Sequence, residues 1–271
     1  MNAIRSLLFV PGSRSDRFDK ALAAGADLIC IDLEDAVLPD HKDSARAAVL
    51  DYIAKGNNKV CVRINPVNTD VGQQDLAAFS QSDVAYVMLA KCSSAADVKA
   101  AETAFANNNI QLIALIESLD GLTNAVEIAK SSTRLSALMF GGADMSAELR
   151  CEFSYEPLLF ARSQLVFAAA QANLQLIDVP YIDIKDEAGL VDETKRIKAL
   201  GYSAKAAIHP VQIATIHQVL TPTAEQVSYA EKVIAASEAA GGGVLVVDGR
   251  MIDRPIVLAS QRILQVAALA H

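Results

Sequence analysis

No apolar run in this chain reaches the ~20 residues that a membrane-spanning helix requires, and Met1-Asn2-Ala3-Ile4-Arg5 carries no signal-peptide pattern ahead of the first apolar run. A cytoplasmic protein with no membrane partner is expected. Positive charge is scarce: 24 Lys and Arg face 32 Asp and Glu, giving a net charge of -8. That balance disfavours nucleic acid and anionic membranes as partners, so an anionic substrate must be held by local cations. Cysteine pairs are missing too. Cys30, Cys61, Cys92 and Cys151 show no C-x-x-C spacing, and the first three fall in apolar runs, which predicts buried free thiols instead of disulfides or a zinc site. No two histidines stand three or four residues apart, which removes the usual helical zinc pair.

Short apolar runs, by contrast, are plentiful. Of the 271 residues 52% are hydrophobic, enough for a sizeable core. Candidate strands are Leu7 to Val10, Leu28 to Leu33, Val60 to Ile64, Tyr86 to Ala90, Leu112 to Ile116, Leu135 to Phe140, Leu174 to Val179 and Ala204 to Ile208. Most are continuously apolar, as strands buried on both faces are. The segments between them carry helical spacing, as in Ala45, Val49 and Ile53. Eight βα units in about 220 residues predict an α/β fold, a (β/α)8 TIM barrel, with a doubly wound sheet as the rival. The barrel is expected over residues 1–240. An apolar-faced helix from Val227 to Ala240 is followed by Gly241-Gly242-Gly243, a hinge. Residues 241–271 hold a strand-like run Val244 to Val247, a turn and a last helix Ile256 to Leu269. So short a segment has no core of its own, and a C-terminal lid packed on the barrel or on a neighbouring subunit is expected.

Polar residues follow the strands in a way that predicts a site on one rim. Strand one runs into Pro11-Gly12-Ser13-Arg14, two into Asp32-Leu33-Glu34-Asp35, three into Arg63-Ile64-Asn65-Pro66, and four into Lys91. Five ends in Glu117-Ser118, six in Gly141-Gly142-Ala143-Asp144, seven near Asp183 and eight in His209-Pro210. Two successive glycines let a ligand approach the backbone and free amides to face an anion. Asp144 beside such amides points to a divalent cation between carboxylate and ligand, although an N-cap would also place an Asp there. Glu117 and Asp144 suit magnesium, which takes few carboxylates and keeps several waters. Glu34 and Asp35 are then expected to grip the metal's waters. Arg63 is the best placed cation for a substrate carbonyl or carboxylate; its alternative is an ion pair with Glu34. A magnesium-held 2-oxo acid beside an arginine favours reversible carbon-carbon bond chemistry. Lys91 and Lys205, both at strand ends, leave a Schiff-base aldolase open.

Seven segments in order, Leu8 to Arg14, Asp32 to Val37, Val62 to Asn65, Ile116 to Ser118, Phe140 to Met145, Ala207 to Pro210 and Asp248 to Asp253, resemble the citrate lyase β-subunit-like proteins of the HpcH/HpaI aldolase superfamily, relatives of malyl-CoA and citramalyl-CoA lyases. The resemblance implies a magnesium-dependent barrel enzyme that cleaves a 3-hydroxyacyl thioester into an acyl thioester and a 2-oxo acid. It implies magnesium on Glu117 and Asp144, substrate contact by Arg63, and the oxo acid's carboxylate on the amides of Gly142 and Ala143. Catalytic parts fall to Arg63, Glu34, Asp35 and Asp253, the last offered to a neighbouring subunit as acid/base, so a homo-oligomer, commonly a trimer, is implied. Arg14 and Lys205 are the candidates for the cationic contacts of a coenzyme A tail. The chain departs from the family pattern at Ala204, where glycine is frequent, and at Arg250, where lysine is. Three alternatives stay open: the β subunit of a citrate lyase complex acting on a carrier-bound citryl thioester, an aldolase on a free hydroxy-oxo acid, and a non-catalytic scaffold.

Overall fold

A computed structural model describes residues 4–106, 109–241 and 243–268; Gly242 of the expected hinge and Leu269 of the expected last helix lie outside them. Eight strands follow one another: β1 (Ser6–Pro11), β2 (Leu28–Asp32), β3 (Val60–Ile64), β4 (Tyr86–Leu89), β5 (Gln111–Ile116), β6 (Leu135–Phe140), β7 (Gln175–Asp178) and β8 (Ala204–Ala207). Each pairs in parallel with its sequence neighbour, and β8 returns to β1, closing the barrel in the order of the chain. The helices between them are α1 (Phe18–Leu22), α2 (Lys42–Ile53), α3 (Asp70–Phe79), α4 (Ala95–Ala104), α5 (Leu119–Thr123), α6 (Ala125–Lys130), α7 (Gly142–Leu149), α8 (Leu159–Ala172) and α9 (Glu187–Leu200). After β8 come α10 (Gln212–Leu220) and α11 (Ala224–Ala239), then a hairpin of β9 (Leu245–Val247) and β10 (Arg250–Ile252), then α12 (Arg254–Ala267).

The strands are apolar over most of their length because each faces two cores. One set of side chains, including Leu7, Cys30, Cys61, Met88, Leu115 and Met139, fills the barrel interior. The alternate set, including Leu8, Ile31, Val62, Leu89, Ile116 and Phe140, packs outward against the helices. Each fully buried aliphatic of this kind contributes about 1.5–3 kcal/mol, so the doubly buried strands carry the stability of the molecule. Cys30, Cys61 and Cys92 are buried free thiols, as the sequence predicts, and Cys151 is half-buried.

The tail behaves differently. Val233 of α11, Val247 and Ile252 form a cluster apart from both barrel cores, with Tyr229, Ala236 and Val257 against it. The segment after residue 240 is therefore seated on α11. Its Val244, Val246 and Met251 are largely exposed. No helix among the described residues is long and apolar enough to cross a membrane.

Candidate active site

Strand alternation builds the site. The inward set on β2 is Leu28, Cys30 and then Asp32; on β3 it is Cys61 and then Arg63, and Asp32 and Arg63 are direct neighbours across the sheet. Carrying the same parity past the ends of β5, β6 and β7 brings Leu115 to Glu117, Met139 to Gly141 and Ile177 to Val179. Asp32, Arg63, Leu115, Glu117, Met139, Gly141 and Val179 line a cavity of about 350 Å3 at the carboxyl ends of the strands, together with Ala143, Asp144 and Pro180.

Glu117 is almost wholly buried, and its Oε1 accepts a hydrogen bond from the Lys91 amide at 2.8 Å. Lys91 adopts a left-handed backbone, φ 50°, to offer that amide. The other side of Glu117 is hemmed by Gly141, where an added Cβ would stand 2.3 Å from the Glu117 Cβ, so only glycine fits. Burial, with the nearby charges of Asp144 and Glu34 adding to it, pushes the Glu117 pKa up to about 8, against the Lys91 amide and Arg63, which act to lower it. Asp144 sits in the first turn of α7, whose leading amides, those of Gly142 and Ala143, have no partner within the helix. Two carboxylates on one cavity beside the leading amides of a helix could hold a hard cation with an anionic ligand across it. Among the described residues no three His, Cys, Asp or Glu side chains converge as a metal cluster. The donor set is two oxygens and no nitrogen or sulfur, which fits magnesium and its retained waters and does not fit zinc.

Arg63 supplies the positive side. Its Nε donates to Asp32 Oδ1 at 2.7 Å and its Nη2 to Asp32 Oδ2 at 2.5 Å, while Nη1 lies 3.4 Å from Glu34 Oε2. Burial opposes that charge, but the Asp32 hydrogen bonds outweigh it and hold the guanidinium pKa above its ordinary value. The ion pair with Glu34 that the sequence offered as the alternative for Arg63 is present, but the main partner is Asp32, which the strand register places directly beside it. Glu34 is turned to Lys91, whose Nζ donates to its Oε1 at 2.6 Å and stands 3.6 Å from Asp35. Burial raises the Glu34 pKa, opposed by Lys91 and Arg63. Of these two acids only Asp35 lines the cavity. Lys42, passed over in the sequence, donates from Nζ to Leu33 O, Glu34 O and Asn65 Oδ1 at 2.7, 2.7 and 2.8 Å, tying the ends of β2 and β3 together.

Other expected residues are not brought to the cavity. Lys205 is fully buried on the outward face of β8, between Ala204 and Ala206 that point inward, and donates to Asp178, Val179 and Glu193; a coenzyme A tail has no access to it, nor does a Schiff-base substrate. Arg14 lies in the loop after β1, half-exposed and paired with Asp16 at 2.8 Å. β7 stops at Asp178, so Asp183 falls outside the cavity and Val179 takes the rim position. His209 is exposed, its Nδ1 accepting from the Val211 amide at 3.2 Å. Asp253 caps the start of α12, accepting from the Ile256 amide at 3.4 Å, and no described residue of the tail lines the cavity.

The family model described as HpcH/HpaI aldolase/citrate lyase matches residues 5–210. The citrate lyase subunit beta of Escherichia coli K12 is 36% identical over 283 residues, 98% of this chain and 94% of that protein. A (3S)-malyl-CoA thioesterase of Cereibacter sphaeroides is 35% identical over 275 residues, 98% of this chain and 95% of that protein. Among solved structures, the CitE protein of Mycobacterium tuberculosis in complex with magnesium, acetoacetate and coenzyme A superposes with a TM-score of 0.80 at 32% identity, covering 98% of each chain.

Proposed function

The chain belongs to the HpcH/HpaI aldolase/citrate lyase family, and from that premise we propose that it is a magnesium-dependent carbon-carbon lyase that splits a 3-hydroxyacyl-CoA thioester into an acyl-CoA and a 2-oxo acid. The observation that carries the reading is the buried Glu117 beside Asp144 at the amino end of α7, facing Arg63 across one cavity. Glu117 and Asp144 would hold magnesium, which when bound supplies Lewis-acid polarisation of the hydroxyl that becomes the oxo group.

The chain's own residues account for the remainder. The amides of Gly142 and Ala143 orient the carboxylate of the oxo acid. Arg63, with its fork fixed by Asp32, presents a pre-aligned charge to the enolate oxygen that develops on the acyl fragment as the carbon-carbon bond breaks. Asp35, which lines the cavity and lies 3.6 Å from Lys91, would orient water or take the hydroxyl proton, with Glu34 behind it holding Lys91. The proton that completes the acyl-CoA comes from Asp253 of the partner subunit, since the Asp253 of the same chain lies outside its cavity. This makes a homo-oligomer part of the proposal.

Malyl-, methylmalyl-, citramalyl- and citryl-CoA, each incubated with the protein and magnesium, test the reading when both products are followed. Release of a 2-oxo acid together with an acyl-CoA is the expected result, lost in Asp144→Ala with the fold intact. Release of free coenzyme A and the hydroxy acid would replace the lyase with a thioester hydrolase, the reaction named for the Cereibacter relative. Cleavage of the thioester only when it is carried on an acyl-carrier protein would make the chain the β subunit of a complex.

A further inference from the structure

Behind the wall that β6, β7 and β8 present to the cavity lies a second group of charges. Arg162 of α8, Asp178 of β7 and Lys205 of β8 are 1%, 0% and 0% exposed, and Glu193 of α9 closes the group at its edge. The Lys205 ammonium donates to Asp178 Oδ2 at 2.7 Å, to Glu193 Oε1 at 2.7 Å and to the main-chain oxygen of Val179 at 2.8 Å. Its three protons are thereby all used. Arg162 donates from Nε to Asp178 Oδ1 at 2.9 Å and lays its guanidinium over the rings of Phe140 and Tyr155.

Two cations and two anions balance, yet apolar side chains of the same volume would hold a helix on a sheet at least as well, because the desolvation of buried ions consumes most of their mutual attraction. What an ammonium adds is direction. Here one of its three directions ends on the carbonyl of Val179, the residue that, with Pro180, lines the cavity. Pro180 has no amide to anchor the chain, so that carbonyl is the handle for this stretch. Val179 also abuts α7: its Cγ1 stands 3.2 Å from where a Cβ on Gly142 would lie. Two residues on, Gln212 Nε2 donates to the Tyr181 carbonyl at 2.7 Å, so release of Val179 frees one end of the stretch while the other stays tied.

We propose that Lys205 is a positioning residue, which through the Val179 carbonyl sets the Val179–Pro180 wall of the cavity against the Gly142 end of α7 and so fixes the fit of the substrate bound there. The link to substrate fit rests on the lyase reading; the link to the wall does not. Because Lys205→Met alone leaves buried acids without their cation, the informative variant is Lys205→Met with Glu193→Gln, in which Arg162 and Asp178 remain as a balanced pair. Glu193→Gln alone, which keeps the Val179 contact, is the control.

In the double variant, folded by circular dichroism, we expect KM for the thioester to rise about tenfold with kcat within about threefold, since the wall binds the substrate without touching the reacting atoms. The control should keep the wild-type KM, as should a side chain whose role is structural only, whatever happens to the melting temperature. Crystal structures of the wild type and the double variant read the wall directly, and a displacement of the Val179–Pro180 backbone of about 1 Å is expected. An unmoved backbone overturns the proposal whether or not any thioester is turned over. A moved backbone with unchanged KM overturns its link to substrate fit. A wild type that cleaves none of the thioesters while the backbone moves counts against the lyase reading and leaves Lys205 in its positioning place.

Discussion

At the scale of single residues, Glu117 is a carboxyl group that burial pushes toward its protonated form. Its folded pKa of about 8 lies above the ordinary 4.5, and the sign of the consequence follows from linkage. Below about 4.5 the group is protonated in both states and stability is unaffected. Between 4.5 and about 8 the unfolded chain gives up the proton while the folded chain keeps it, so stability falls as pH rises, and the loss is complete above about 8. Glu117→Gln keeps an oxygen for the Lys91 amide and removes the charge. In chelator, the variant should therefore be more stable than the wild type by on the order of 2–4 kcal/mol at about pH 8.5 and indistinguishable from it near pH 4. Adding magnesium should reverse the order at high pH, because only the wild type gains from the ion. Calorimetry at the two pH values, with and without magnesium, checks this, and a variant no more stable than wild type at high pH in chelator would mean that the carboxylate is comfortable as it stands.

Among the elements, the strands were the most legible part of the sequence, because a strand buried on both faces is an unbroken apolar run and little else in this chain looks like it. The assignment of polar residues to the rim followed from the barrel. What the runs concealed was parity. A continuously apolar strand shows no alternation, so Lys205 read as a rim cation although it faces the helices, and Asp32 read as part of a motif although it shares the lumen with Arg63. The small side chains of Ala204 and Ala206 on either side of Lys205, suited to a crowded barrel interior, were the available sign. The tail is the element whose role the same logic isolates. Neither barrel core includes a residue beyond Leu220, so a chain ending at residue 240 should fold, melt cooperatively and still bind magnesium. It should lose turnover by about 100-fold or more, the range of a missing general acid. Asp253→Ala in the full chain should show the same loss with oxo-acid binding retained in an equilibrium titration. Full turnover by either protein would remove Asp253 from the reaction.

For the whole molecule, the decisive fact is a distance of function and not of ångströms: the tail is seated on its own α11, outside the cavity of its own barrel. If the proton comes from Asp253, one chain must complete the site of another, and the exposed Val244, Val246 and Met251 on the same segment are the apolar surface such an arrangement would cover. A closed ring of subunits in which each tail serves the next barrel makes a quantitative prediction. Asp144→Ala and Asp253→Ala subunits are each inactive alone, since every site lacks either a metal ligand or an acid. Unfolded together in equal amounts and refolded, they should regain about a quarter of wild-type turnover, because about half of the barrels keep Asp144 and about half of the tails reaching them keep Asp253. If the acid instead acted within its own chain, every mixed site would carry one lesion. The refolded mixture would then stay as inactive as its parts, and a turnover assay on the mixture separates the two arrangements.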